Sequence, residues 1–215
     1  MVDFRARSNV PTISSDESGQ LLERYGPLAQ AVRDLIDATI RTQADDATAR
    51  EVAAQVQELT ERLRGGTLSD SPGLRYVVDG RPLAWGNAVV GLRNPIAPPL
   101  VIQHGENRHC WSDFHLGAAY EGPPSLVHGG VSALVLDHVL GEAASDGLTK
   151  PRYTGTITVK YLRGTPLGPL HAEASISRRE GVKTYARGHI SDANGVTVEA
   201  EGVFITPSWA RDGLE

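Results

Sequence analysis

The sequence predicts an α+β fold in which an antiparallel sheet packs around one apolar helix, with a helical hairpin before it. Two observations carry this prediction. The segment after Gly130 is apolar on nearly all sides of a helix, which is typical of a helix enclosed by other elements. Strand-like segments flank it and follow it, the pattern of an α+β protein. The apolar positions are Val131, Leu134, Val135, Leu136, Val139 and Leu140.

Four segments after this helix predict the stronger strands of the sheet. Residues 156–162 alternate polar and apolar side chains, as expected for a strand with one solvated face. Residues 170–177, 183–190 and 196–205 follow, and residues 192–195 predict a hairpin turn between the last two. Before the helix we expect three shorter strands, interrupted by prolines, at residues 76–78, 88–92 and 100–102.

The chain divides into three predicted regions. Residues 1–20 are polar and are expected to form a poorly ordered tail. Residues 21–66 predict a hairpin of two amphipathic helices, because apolar residues recur at three- and four-residue spacing on either side of Asp45 and Asp46. Gly65 and Gly66 mark its end. Residues 74–209 then form the domain that carries the sheet and the central helix, and the hairpin is expected to cover this domain or to extend an oligomer contact.

The start of the central helix predicts the chemistry. His128, Gly129 and Gly130 precede its first turn, where backbone amides have no partner within the helix and the helix dipole favours negative charge. Asp137 lies two turns later in an apolar segment, where an ionised carboxylate is costly unless it is paired or used. An anion-stabilising amide and a buried carboxylate on one helix indicate acyl chemistry.

The spacing of these groups predicts a dimer. Gly129 and Asp137 are separated by about 12 Å along a helix axis. An oxyanion donor and an attacking group must both lie within roughly 3 Å of one carbonyl group. One helix therefore cannot supply both, whereas two antiparallel copies can.

These motifs resemble the PaaI-like and 4-hydroxybenzoyl-CoA-thioesterase-like hotdog proteins. The resemblance rests on residues 120–124 (Tyr-Glu-Gly-Pro-Pro), on His128-Gly129-Gly130 and on an acid nine residues after the histidine. The segment 94–100 (Asn-Pro-Ile-Ala-Pro-Pro-Leu) is similar to actinobacterial members. The resemblance covers residues 74–209 and implies a hotdog fold, a sheet wrapped around its central helix.

The resemblance also implies roles for individual residues. Asp137 would be the nucleophile or general base, and the Gly129 amide would line the oxyanion hole. A threonine at the start of the next strand positions water in some members, and Thr154 is the nearest match. We expect His128 to position the loop that aims Gly129, although a ligand contact remains open for it.

Several further residues are candidates for binding the substrate. Gly130 adds a second free amide at the helix start. Basic side chains concentrate on the later strands and hairpins, where a solvated strand surface is the ordinary explanation. Coenzyme A carries three phosphates, however, and arginine suits phosphate geometry. The candidates for these contacts are Arg163, Arg178, Arg179 and Lys183, with Arg187 beside them.

Other classes of site are disfavoured. His104, His109, Cys110 and His115 fall within twelve residues, but their spacing fits no closed zinc pattern and a strand would point them to different sides. Ser125 and Ser132 lack the Gly-x-Ser-x-Gly elbow of serine hydrolases. The chain has no glycine-rich nucleotide-binding motif. We therefore expect no metal and no redox cofactor.

Composition restricts the binding partners and the cellular compartment that we expect. A net charge of −5 in 215 residues argues against nucleic-acid binding. One cysteine excludes an internal disulfide and suits a reducing compartment. No apolar run reaches the roughly 20 residues that span a bilayer, and the first residues lack the apolar stretch of a signal peptide. We expect a cytoplasmic protein without membrane insertion.

The sequence thus favours an acyl-CoA thioesterase that works as a homodimer or homotetramer and releases a free acid and coenzyme A. The main alternative is a non-catalytic hotdog protein that binds acyl-CoA as a sensor or interaction module. A hydratase on the same fold is a weaker alternative, because it would want a histidine and an aspartate together near the helix start. His128 has no aspartate beside it.

Overall fold

The structure, a computed structural model, describes residues 10–66 and 75–211. It confirms the α+β hotdog fold. The helices are α1 (Ser15–Arg41), α2 (Asp46–Arg64) and α3 (Gly129–Ser145). The strands are β1 (Thr12–Ile13), β2 (Arg75–Val78), β3 (Arg81–Ala84), β4 (Gln103–His104), β5 (Cys110–Leu116), β6 (Tyr153–Tyr161), β7 (Gly168–Glu180), β8 (Lys183–Asp192) and β9 (Gly195–Ile205).

The strands form two sheets. The main sheet has the order β4-β5-β7-β8-β9-β6, and all its neighbours are antiparallel. The small sheet has the order β1-β2-β3. Strand β6 follows α3 in the chain and pairs only with β9 among the described strands, so it forms one edge of the main sheet. Strand β4 forms the opposite edge.

Helix α3 lies on one face of the main sheet and contributes most of the core. Its buried apolar side chains pack against alternate residues of β7, β8 and β9, among them Ala172, Ala186, Ile190, Val198 and Phe204. Alanines and Gly202 on the sheet leave room for the helix, since a side chain at Gly202 would collide with Phe204 and contact Leu140 of α3. The alternation leaves the other face of the sheet polar.

Helix α1 begins at Ser15, earlier than the Leu21 that the sequence analysis expects. The polar residues taken for the end of a tail are its cap: the Ser14 side chain accepts from the Glu17 amide, and the Glu17 carboxylate accepts from the Ser14 amide. This reciprocal capping box fixes the helix start. The first nine residues lie outside the described part of the chain.

Arg33 fastens α1 to the domain. Its guanidinium donates to the carbonyl oxygens of Gly91, Leu92, Asn94 and Ala97, at 3.0–3.3 Å. Nearby, the Arg93 guanidinium lies 3.7 Å from the centre of the Tyr25 ring. These contacts bind α1 to the segment 85–102, which we name the roof because it covers one side of α3.

The expected strands at residues 88–92 and 100–102 are wrong, because the roof consists of turns. The Asn87 side chain accepts from the Val89 and Val90 amides, and Arg33 takes carbonyl groups that a strand would have used. Strands β3 and β5 were not predicted from the sequence. Pro82 in β3 reads as a breaker, and the polar residues of β5 obscure its alternation.

Helix α2 differs from α1 in its packing. None of its residues is buried, and it makes no extensive contact with another element of the described chain. Val52, Leu59 and Leu63 are exposed along it. The two predicted helices therefore exist as helices, but only α1 packs on the domain. In the described ranges, no helix has the length and apolar character needed to cross a membrane.

Candidate active site

The entrance of α3 presents one free backbone amide. His128 is the N-cap, and its Nδ1 accepts from the Gly130 amide at 3.0 Å. The Gly129 amide, by contrast, donates to no group in the described part of the chain. His128 therefore orders the turn and occupies the second glycine amide, while the first points outward as an available donor at the positive end of the helix dipole.

Asp137 meets Thr154 across the gap between α3 and β6. The Thr154 hydroxyl donates to Asp137 Oδ1 at 2.9 Å. The register of β6 on β9 shifts between Thr154 and Thr156, which places a bulge at Gly155. The bulge lets Thr154 and Ile157 both face α3, although they are three residues apart. One carboxylate oxygen is thus held by the strand, and Oδ2 remains for another partner.

Tyr161 also approaches the helix start, a contact that the sequence analysis missed. Its hydroxyl donates to the Gly129 carbonyl oxygen at 2.8 Å, and its ring lies where a side chain at position 129 would extend. Tyr161 stands on the same strand as Thr154, so β6 touches both ends of the functional segment of α3. The alternation of polar and apolar residues in β6, with the bulge at Gly155 taken into account, is a pattern from which the contact of Tyr161 with α3 could have been predicted.

Asp137 is not buried, contrary to the expectation from the apolar helix. It is partly exposed in the single chain, and Leu134 one turn earlier is 43% exposed. The buried carboxylate of α3 is Glu142, whose side chain is 7% exposed. The difference arises because one side of α3 faces β6, the edge strand of the main sheet, whereas the side toward β4 is covered by the roof.

The edge beside Asp137 is open. The β6 backbone has one hydrogen-bonding side that pairs with no described strand, and Tyr153, Tyr161 and Leu162 expose large side chains there. Leu134 of α3 is likewise exposed. A long unpaired edge with apolar side chains is a surface that another strand can cover.

Arg163 and Arg178 have partners within the chain. The Arg163 guanidinium binds Asp192 through both of its terminal nitrogens and also donates to the Gly195 carbonyl oxygen at 2.7 Å. This pairing lowers the pKa of Asp192 to about 2. The Arg178 guanidinium stacks 3.8 Å from the centre of the Tyr185 ring. Both contacts give these arginines structural explanations.

Arg179 lies among other cations. In the sheet register, Thr154 is opposite Phe204, Phe204 is opposite Thr184, and Thr184 is opposite Arg179. Arg179 and Arg108 both act electrostatically on Arg152, whose pKa is lowered by burial and then by these two neighbours. Lys183 begins the adjacent strand. Close guanidinium groups repel one another, and a bound anion would relieve that repulsion.

The histidines and the cysteine near β5 are separated. Cys110 points into the core, where its thiol donates to the Val139 carbonyl oxygen at 3.3 Å. His109 faces the other side of the sheet and binds Glu173, while His104 lies near Glu142. Across the residues that the structure covers, no group of three or more such side chains could hold a metal ion.

The fold and this helix define a hotdog-fold protein, and the comparisons agree. The model of the thioesterase superfamily matches residues 125–199. A crystal structure described as a thioesterase superfamily protein shares 32% identity, covers 84% of this chain and 90% of its own, and superposes with a TM-score of 0.76. The chain belongs to the thioesterase superfamily.

Two more distant structures align with about half of the chain. A putative thioesterase from Ralstonia eutropha, described as related to phenylacetic acid degradation, is 23% identical over 49% of this chain and 83% of its own, with a TM-score of 0.46. A Streptococcus mutans protein bound to acetyl CoA is 13% identical over 50% of this chain and 88% of its own, with a TM-score of 0.46. Among curated proteins, none matches the sequence.

Proposed function

We propose that the protein is an acyl-CoA thioesterase with a site shared between two subunits. The observation that carries this proposal is the pairing of Asp137 with Thr154 on the helix whose first amide, at Gly129, is free. Membership of the thioesterase superfamily supports the reaction class. We also propose that the protein belongs to the PaaI-like subgroup and to its actinobacterial type, as the motif residues suggest.

In this mechanism Asp137 and the partner subunit's Gly129 act on one thioester. Asp137 takes a proton from water, and the water oxygen attacks the carbonyl carbon. The carbonyl oxygen becomes an oxyanion that the Gly129 amide stabilises. The carbon–sulfur bond then breaks, and the thiolate leaves and takes up a proton, which gives the free acid and coenzyme A. In the alternative route, the carboxylate attacks the carbonyl carbon directly, the carbon–sulfur bond breaks with release of the thiolate, and water then hydrolyses the resulting anhydride to the free acid and the Asp137 carboxylate.

Thr154 supports either role of Asp137. Its hydroxyl donates to Oδ1, so that Oδ2 is the oxygen directed to water or substrate. Thr154 therefore acts as a positioning residue for Asp137, and His128 as a positioning residue for the helix entrance.

The unpaired edge of the main sheet at β6 supports a dimer. If β6 of two subunits pair antiparallel about a two-fold axis, the two sheets become continuous and the two α3 helices lie side by side. The exposed Leu134, Tyr153 and Tyr161 would then be covered. Such an arrangement brings Asp137 of one subunit toward the helix start of the other, as the separation of about 12 Å along one helix requires. Two such dimers could pair into a tetramer.

Arg179 is the strongest of the proposed phosphate contacts. It lies near Arg108 and Arg152. The Asp146 carboxylate forms ion pairs with Arg108 and with Lys150. Lys183 adds charge nearby. Arg163 is the weakest, because Asp192 and the Gly195 carbonyl oxygen already occupy its guanidinium.

The test is a panel of acyl-CoA thioesters with a thiol reagent, run alongside calorimetric binding. The expected result is thiol release in amounts equal to the free acid formed, for at least one class of acyl group. Tight binding of acyl-CoA without thiol release would contradict the enzyme and favour the non-catalytic sensor. Neither binding nor turnover with aromatic, short and long acyl groups would contradict both.

A further inference from the structure

A second cavity lies on the side of α3 that the proposed mechanism does not use. Its volume is about 600 Å³, and it opens between the roof, β3, β4 and the end of α3. The volume is typical of sites for small molecules. Neither Asp137 nor Gly129 lines it, and neither lines the groove of similar volume on the outer face of the sheet.

The cavity is separated from the proposed thioester site by α3 itself. Asp137 binds Thr154 on β6, whereas Glu142 faces His104 on β4, and these strands form opposite edges of the main sheet. Five residues of helix turn a side chain by roughly 140°, which agrees with these contacts. A ligand in the cavity would therefore touch a different side of the helix from the thioester.

Most of the cavity wall is apolar. The roof supplies Trp85, Val90, Leu92, Leu100 and Ile102. Trp85 and Leu100 are buried, and Val90 and Ile102 pack against the core. Such a wall favours an apolar body through the release of water from both surfaces.

One end of the cavity carries a buried carboxylate. Glu142 lines the cavity with a side chain that is more than nine-tenths buried. No hydrogen bond within the described ranges engages its carboxylate. Two histidine nitrogens lie beside it, His138 Nε2 at 3.3 Å and His104 Nε2 at 3.7 Å, and the His138 nitrogen is buried without a hydrogen-bond partner in the described residues. A buried carboxylate without donors is costly, and a ligand that donates a hydrogen bond would lower this cost.

The surrounding charges restrict the head group of such a ligand. A carboxylate head cannot donate a hydrogen bond to Glu142 and would be repelled by it. An ammonium head would be attracted by Glu142 and Asp146 but repelled by Arg108, which also lines the cavity and already pairs with Asp146 at 3.2 Å. A neutral hydroxyl donates to Glu142 and carries no charge for Arg108 to repel.

We propose that this cavity is a second binding site, separate from the thioester site, for a small neutral apolar molecule that carries a hydroxyl group. The apolar body lies against Trp85 and Leu100, and the hydroxyl donates to Glu142. The proposal concerns binding alone and does not depend on thioesterase activity, so it stands or falls separately from the proposed function.

Three probes with one skeleton test the head group on the intact protein. Calorimetric titration is carried out with 3-phenylpropan-1-ol, 3-phenylpropylammonium and 3-phenylpropanoate. Saturable binding of the alcohol, with the two ions at least about tenfold weaker, is the expected result, since tenfold in affinity corresponds to about 1.4 kcal/mol. Equal or tighter binding of either ion overturns the assignment of a neutral ligand. No binding of any probe overturns the site.

Two variants test the location. Val90→Trp fills the apolar part and should weaken alcohol binding at least about tenfold, whereas Leu59→Trp on the exposed surface of α2 is its matched control and should leave binding unchanged. Glu142→Gln keeps the shape but replaces a charged acceptor, and should weaken binding about fivefold. Folding is checked by circular dichroism, and Glu142→Gln still decides the result if Val90→Trp does not fold. Unchanged binding in Glu142→Gln would overturn the role of the carboxylate.

Discussion

Helix α3 carries two carboxylates five residues apart, and its two sides place them in opposite surroundings. Asp137 faces the open edge of the sheet, where a threonine holds one of its oxygens. Glu142 faces the roof, where it is buried beside two histidines and forms no hydrogen bond through its side chain in the described residues. The acid on the open side is partly exposed, whereas the acid on the covered side is buried and lines a cavity.

The comparison shows that burial on this helix depends on what lies beside the sheet rather than on the helix sequence. The apolar residues of α3 do not distinguish the two sides. The side next to β6 is exposed because that strand is the last of the sheet, and the side next to β4 is covered because Arg33 holds the roof over it. The apolar character of a helix is therefore not sufficient to predict that an aspartate within it is buried.

The largest expected effect is on the open side. Asp137→Asn should lower the turnover of acyl-CoA by about 10³-fold, within the range typical for loss of a general base, because the amide cannot accept the proton. The asparagine oxygen can still accept from Thr154, so the fold should persist. The measurement is thiol release under saturating substrate. Asp113→Asn, on the exposed opposite face of the sheet, serves as control and should keep full turnover.

A second experiment tests whether the open side is completed by another subunit. Gly129→Val should be inactive because a side chain there would press on Tyr161, 3.3 Å from the position of its first atom. Mixing this variant in equal amounts with Asp137→Asn should restore about a quarter of wild-type activity, since half of randomly formed dimers are mixed and each has one intact site.

Subunit exchange must be verified in the mixture, for example by mass spectrometry of tagged chains. Each variant mixed with itself supplies the background. If exchanged mixtures stay as inactive as the parents, Asp137 and Gly129 do not meet across subunits.

A third prediction concerns the covered side. Arg33→Ala should lower the free energy of unfolding by about 2–3 kcal/mol, because it removes charged donors from several roof carbonyl groups. Arg33→Lys should recover only part of this loss, since a lysine lacks the planar fork that reaches several oxygens. Urea denaturation gives the energies, and faster amide exchange should be confined to the roof. Arg41→Ala, an exposed matched control, should change stability by less than about 0.5 kcal/mol.

The smallest effect is expected on α2. Leu59→Ser and Leu63→Ser should change the free energy of unfolding of the single chain by less than about 0.5 kcal/mol, since both side chains are exposed. Thermal unfolding and light scattering are the measurements. A large loss of stability, or a smaller assembly, would show that these leucines are covered in the oligomer and that α2 belongs to an interface.

The sequence predicted the parts of the fold that depend on local pattern. The alternation in β6 and the uniform apolar character of α3 identified the sheet and its central helix. The glycines after His128 and the position of Thr154 also led to contacts that the structure contains, the cap at His128 Nδ1 and the hydrogen bond to Asp137. These features depend on a few neighbouring residues and on a recognised spacing.

What the sequence did not predict depends on distant partners. The turns of the roof follow from Arg33, which lies about sixty residues earlier in the chain. The burial of Glu142 was not predicted because it depends on His104 and the roof, which are distant in sequence, as well as on His138 in the same helix. Ser14 and Glu17 were assigned to a tail although the capping-box spacing was present, so that error was avoidable.

The burial of Cys110 has a practical consequence for spectroscopy. Its thiol is wholly enclosed, and burial raises its pKa to about 12, so we expect it to stay protonated at neutral pH and to resist maleimides. The native chain can therefore serve unchanged as the background for site-specific labelling. A cysteine introduced at Leu134 would carry the single label of each chain, and in a two-fold assembly the spin–spin distance between two such labels would measure how closely the central helices approach.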